Sequence, residues 1–155
     1  MGIGPVTVNV VLDTNVVLDW QVFADAAACR VGKAITRGAL RWLATPRILQ
    51  EWQSVLARPL GGRWEEARQR ALTVDVSAHC QLCAEVVPAA GRRLICRDPA
   101  DQVFIDLALA HGPALLLTRD RALLALRRRA SAYDVTVTTP SLWVPAGAGP
   151  SDPVQ

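Results

Sequence analysis

The stretch Val8-Asn9-Val10-Val11-Leu12-Asp13-Thr14-Asn15 decides how the chain is read. A short apolar, β-branched run without polar alternation reads as a strand buried on both faces, as in a parallel sheet covered by helices. The run then stops on an acid, a hydroxyl and an amide. In open α/β sheets the ligand site lies beyond the carboxyl ends of the strands, which puts Asp13 where chemistry is expected. The same three residues could equally turn the chain and cap a following helix. The choice depends on whether other acids arrive at the same edge.

Outward from this strand, Val16 to Arg37 reads as mainly helical, with Gly38 as its stop. Ala39–Ala44 is a candidate second strand. Thr45-Pro46 opens a helix that runs to Ala57, with Thr as the cap and Pro at the first helical position. On it Ile48, Trp52, Val55 and Leu56 form an apolar stripe, and Glu51 lies on or beside that inward face. Two further helices are predicted over Trp64–Val74 and Val76–Val86. Leu94–Cys96 is either a short strand or an extended approach to the next helix. Asp98-Pro99 begins that helix, which is apolar from Val103 to Ala110 apart from Asp106, with Asp101 in its first turn. Ala114–Leu117 is a buried strand ending on Thr118-Arg119-Asp120, which repeats the arrangement at Asp13. A basic helix over 120–129 and a strand over Tyr133–Thr138 complete a three-layer α/β/α sandwich with a parallel sheet of four to five strands. Residues 1–143 form one domain, and 144–155, rich in Pro and Gly, a flexible tail.

Composition narrows the class. The chain of 155 residues is long enough for one self-sufficient core. No apolar run approaches the ~20 residues needed to span a bilayer and no charged-then-apolar leader precedes the first strand, so a cytoplasmic protein with no membrane partner is expected. Cys29, Cys80, Cys83 and Cys96 are expected to be buried thiols, because the lone Cys80/Cys83 pair lacks the matching pair of a structural zinc site. An apolar fraction of 51% suggests a surface covered by another copy or a protein partner. Net charge is +3, from 17 basic and 14 acidic residues; with four acids set aside in one site, the remainder carries +7. A basic body around an acidic pocket suits a polyanion with a metal at the reacting phosphate.

Asp13, Glu51, Asp101 and Asp120 can all converge at the carboxyl edge of the sheet. Two carboxylates about 4 Å apart repel by about 4 kcal/mol at an effective dielectric of about 20. Four together must be protonated or bridged by cations. Oxygen ligands without Cys or His select Mg²⁺ or Mn²⁺, and such ions support hydrolysis of a phosphodiester by in-line displacement.

With these residues in view, the chain resembles a known family. Leu12-Asp13-Thr14-Asn15-Val16, helical Glu51 followed by Val55-Leu56 and Arg58-Pro59, Asp98-Pro99 with Asp101, Phe104-Ile105 and Leu107-Ala108, and Leu116-Leu117-Thr118 with Asp120 and Leu123-Leu124 look like a PIN-domain protein. The subgroup most similar comprises toxin components of prokaryotic toxin–antitoxin systems. The similarity spans about Asn9 to Leu142. It implies a Mg²⁺- or Mn²⁺-dependent endoribonuclease acting on single-stranded RNA, often dimeric, and held silent by an antitoxin protein. Carried over residue by residue, it implies that Asp13, Glu51, Asp101 and Asp120 bind the metal and serve catalysis. Asn15 and Thr118 would orient those ligands through hydrogen bonds. Two positions depart from the pattern: further acids common in related sequences are replaced by Gln102 and Ala122. Asp98 either compensates in part or only caps its helix.

Arg119 and Arg121, with Arg127–Arg129 nearby, could track an RNA backbone, or the latter could be a solvated helix end. Trp20, shortly after the Asp13 loop, could stack on a base. Asp19 and Asp25 have no evident partner in the sequence. His79 and His111 are the only histidines, and acid–base catalysis by the pair would need both in one site. Two other functions stay in view: a PIN fold retained as an RNA- or protein-binding module with little or no cleavage, and a haloacid-dehalogenase type phosphatase. The phosphatase is disfavoured because it wants an acid two residues after its nucleophile, where this chain has Asn15.

Overall fold

A computed structural model describes residues 6–145. Five strands, β1 (Val8–Leu12), β2 (Leu40–Ala44), β3 (Cys80–Leu82), β4 (Ala114–Leu117) and β5 (Val135–Thr138), form one sheet in the order β3-β2-β1-β4-β5. Every pairing is parallel. Helices α1 (Thr14–Gln21), α2 (Ala26–Thr36), α3 (Pro46–Leu56), α4 (Glu65–Leu72), α5 (Gln102–Ala110), α6 (Arg121–Leu124) and α7 (Arg127–Ser131) complete the chain. The sheet is thus parallel with five strands, of which β1, β2, β4 and β5 fall on the predicted runs and β3 does not. All of the proposed tail from residue 146 onward lies outside the described residues.

Alternation along the strands divides the core in two. Val11, Leu43, Leu116 and Val137 pack with α5 and the α6–α7 segment through Phe104, Ile105, Leu123 and Ala130. Val10, Leu12, Trp42, Leu115 and Leu117 face the other way, onto Val16, Val31 and Ile35 of α1 and α2 and Trp52 of α3. With both faces covered, the buried lengths Val10–Leu12 and Ala114–Leu117 carry no polar residue, which explains the continuous apolar runs of β1 and β4. Register then sets the site. Leu12 pairs with Leu117, so the two strands end level and Asp13 lies beside Thr118. The Asp13 N–H donates to the Leu117 carbonyl at 3.1 Å.

Several elements differ from the sequence reading. The single helix expected over 16–37 is two: Ala24 adopts φ +51°, and Asp25 restarts the helix by accepting from the Ala28 N–H at 3.0 Å. The helix expected over 76–86 is a 3-10 turn at Val76–His79 followed by β3, because pairing of Cys80 and Gln81 with Trp42 and Leu43 at the sheet edge overrides a weak helical pattern. Leu94–Cys96 is an extended approach and not a strand. The basic helix over 120–129 is divided at Ala125–Leu126, where the Leu126 N–H bonds the Leu123 carbonyl and tightens the turn. Arg68, buried on α4, pairs with Glu65 and donates to the Leu56 carbonyl at 2.8 Å, closing the end of α3.

One close approach ties α1 to α2. A Cβ on Gly32 would lie 2.2 Å from Nε1 of Trp20, so only glycine admits the indole here. Gly32→Ala should therefore destabilise the protein by about 1–3 kcal/mol, the usual cost of overpacking. Urea unfolding followed by tryptophan fluorescence measures it, and an unchanged midpoint would show that Trp20 is not held against α2.

Candidate functional site

Asp13 is 4% exposed at the end of β1. One carboxylate oxygen accepts from the Asn15 N–H at 3.5 Å, so the residue caps α1; the other accepts from Thr118 Oγ1 at 2.8 Å. Capping and site are both served by one side chain. Burial pushes its carboxyl above the usual range, the Thr118 and Asn15 bonds pull it down, and the nearby charges of Asp120 and Glu51 push it up. Thr118 is fully buried, and its hydroxyl oxygen also accepts from the Asp120 N–H at 2.9 Å. Asp120 in turn caps α6 through the Ala122 N–H at 2.7 Å.

Glu51 arrives from α3, where the stripe left it beside the inward face. Its Oε2 accepts from Thr14 Oγ1 at 2.9 Å, a bond that joins α1 to α3. Asp101 closes a 3-10 turn, Pro99–Asp101, ahead of α5, and Asp98 caps that turn through the Ala100 N–H at 3.0 Å. Carboxylate oxygens of Asp98, Asp101 and Asp120 lie within 4.8 Å of one another. One oxygen of Asp101 is buried without any hydrogen-bond partner. Its carboxyl is pushed up to about 7, first by burial, then by the charges of Asp120, Asp13, Asp98 and Glu51. Of the four predicted acids, Asp101 and Asp120 lie together in one cluster with Asp98, which also caps its turn. Asp13 and Glu51 lie outside that cluster but near enough for their charges to act on Asp101.

A cleft of about 490 Å³ beside them is lined by Asn15, Arg97, Asp98, Arg119, Asp120 and Arg121, and of the four predicted acids only Asp120 lines it. Asn15 is exposed on its wall and bonds Asp13 through its N–H, not its side chain. Trp20 is not on this cleft. Its ring stands edge-on to Trp42 at 5.7 Å and is packed over Gly32, which removes the motive for the stacking role expected of it. The two histidines are apart: His79 stacks edge-on to Trp20, while His111 ends α5. A larger cavity, about 850 Å³, opens between α3, the segment after β3 and α5; none of the four predicted acids lines it.

Three residues in or behind the site escaped the sequence reading. Thr14 holds Glu51, which its neighbour Asp13 had overshadowed. Asp19 has a partner after all, Arg119, at 2.6 Å. Gln102 explains its own departure from the acidic pattern. Its Oε1 accepts from the Cys96 N–H at 2.8 Å, and its Nε2 donates to the Leu94 carbonyl at 2.7 Å and to Asp106 at 2.9 Å. An amide can accept and donate at once, and a carboxylate cannot. Gln102 therefore straps the extended segment before Asp98 onto α5.

A PIN-domain family model matches residues 9–122, a span that contains every one of these acids. The chain belongs to the PIN-domain family. Membership supports a nuclease in general terms. Among solved structures, the PIN-domain chain is similar to a chain in the crystal structure of VapBC2 from Rickettsia felis bound to a DNA fragment from their promoter. The TM-score is 0.56 and the identity 15%, over 83% of this chain and 96% of that one, a likeness of fold. Among curated proteins a sequence search finds no match.

Two outcomes follow from the electrostatics. The folded protein binds the Asp101 proton more tightly than the unfolded chain does, so this group's contribution to stability is full below its ordinary value of 3.8 and is lost as pH rises to about 7. In the absence of divalent ions, Asp101→Asn should raise the melting temperature at about pH 8 more than at about pH 4; equal shifts at both would refute the coupling. Gln102→Glu should cost about 1–3 kcal/mol in chemical denaturation, because it faces Asp106 with like charge and leaves the Leu94 carbonyl without its donor. A variant as stable as the parent would show that the strap is dispensable.

Proposed function

We propose that this PIN-domain protein is a Mg²⁺- or Mn²⁺-dependent endoribonuclease that cuts single-stranded RNA and acts as the toxin of a toxin–antitoxin pair. The observation that carries the reading is the partnerless buried oxygen of Asp101 amid the carboxylates of Asp13, Glu51, Asp98 and Asp120. An orphaned acceptor in an all-oxygen, acidic pocket fits a hard divalent cation. Asp13, Glu51, Asp101 and Asp120 would hold it, with Asp98 as an added ligand. When bound, the ion supplies charge neutralisation at the scissile phosphate and activation of water.

The remaining work falls to the chain itself. Thr118 and Thr14 fix the orientation of Asp13 and Glu51 by donating to one oxygen of each. Arg121 and Arg97 on the cleft wall offer guanidinium groups to the phosphates flanking the cut, while Arg119 is paired with Asp19. The likeness to a VapBC2 chain supports an antitoxin as partner, and the apolar composition supports a homodimer or larger assembly. No helix among the described residues is long and apolar enough to cross a membrane, which is compatible with action in the cytoplasm.

A second reading keeps the fold as an RNA- or protein-binding module. It is favoured by Gln102, committed to backbone groups, and by Ala122, which leave the site fewer carboxylates than related sequences. Labelled single-stranded RNA incubated with Mn²⁺, with and without EDTA, separates the two. The nuclease should cut only with metal, and Asp13→Asn should slow it by at least about 100-fold. RNA bound equally with and without metal but never cut would replace the nuclease with the module.

A further inference from the structure

Arg119 poses a problem for any cation in this pocket. It directly precedes Asp120 and lines the same cleft. A guanidinium on a long, flexible stem is a ready counterion for carboxylates, and Asp98 and Asp120 line the same cleft. The side chain instead turns away. Its Nη2 lies 2.6 Å from Oδ2 of Asp19 on α1, whose own side chain is only 8% exposed while that of Arg119 is 57% exposed. Arg97 and Arg121, the other arginines of the cleft, make no ion pair among the described residues.

We propose that Asp19 is a positioning residue that holds Arg119 out of the acid pocket, so that the carboxylates remain free for a divalent cation. This rests on the metal-site reading above and extends it to a residue outside the acid cluster. A buried carboxylate with one exposed guanidinium partner is a poor stabiliser, since desolvation of the acid offsets much of the attraction. Its value lies in where it puts the arginine. Without Asp19 the carboxylates left beside Arg119 in the cleft are those of Asp98 and Asp120, and the protein's own cation then competes with the metal.

Calorimetric titration of Mn²⁺ into the full chain tests this without reference to catalysis. Asp19→Asn should weaken Mn²⁺ binding roughly tenfold, because the released guanidinium competes for the same oxygens. Arg119→Ala should bind Mn²⁺ at least as tightly as the parent. The double variant Asp19→Asn/Arg119→Ala should recover the affinity of Arg119→Ala to within about twofold, the additivity expected once the competitor is gone. A purely structural staple predicts the reverse, with the double variant no better than Asp19→Asn. Unchanged affinity in Asp19→Asn, or a double variant that stays weak, overturns the proposal alone. Weaker binding in Arg119→Ala overturns it as well, and remains decisive if circular dichroism shows Asp19→Asn unfolded. A parent protein that takes up no Mn²⁺ removes the metal-site reading and this proposal together.

Discussion

Mutual repulsion of carboxylates is the constraint on which this structure turns. Asp13, Glu51, Asp98, Asp101 and Asp120 come from four separate stretches of chain, yet the charges of the other four add to burial in bringing the Asp101 carboxyl to about 7. Each pair at about 4 Å costs about 4 kcal/mol at an effective dielectric of about 20. The fold holds them together regardless, because the backbone around them is fixed by other means. Level strand ends place Asp13 and Thr118 side by side, and the caps of α1, α6 and the Pro99–Asp101 turn use the same acids to satisfy backbone N–H groups. Those N–H bonds return part of the repulsive cost.

The arrangement also divides labour between the two core layers. The α1–α2 side contributes Thr14 and Asp19, which touch acid or arginine but lie outside the carboxylate cluster. The α5 side contributes Asp101 and, through the Gln102 strap, the segment that presents Asp98. Neither layer holds all of the acids, which gather at the sheet edge between them, where a parallel α/β fold is expected to bind ligands.

The sequence was most legible where one physical signal had no competitor. Continuous apolar runs ending on Asp13 and on Thr118-Arg119-Asp120 identified β1 and β4 and the edge where chemistry gathers. Thr45-Pro46 and Asp98-Pro99 announced helical starts that the structure contains. Legibility failed where long-range pairing outweighed local pattern. Cys80–Leu82 looks helical in isolation and becomes a strand only because β2 offers a free edge. The break at Ala24 has no glycine or proline to mark it. Side-chain partners over large separations, Asp19 with Arg119 or Gln102 with Leu94, leave no trace in spacing, and Trp20 could not be recognised as packed without knowing that Gly32 faces it.

The Thr118 hydroxyl has a consequence of its own. It carries a single hydrogen, and that hydrogen is directed to Asp13, while its oxygen receives the Asp120 amide. The orientation is therefore locked one way: a dipole pointing from the end of β4 toward the end of β1, with no freedom to reverse. Serine could reproduce this wiring, whereas valine, of the same shape, would sever two elements at once. A single oxygen atom thus acts as the hinge pin between the two halves of the molecule's working edge.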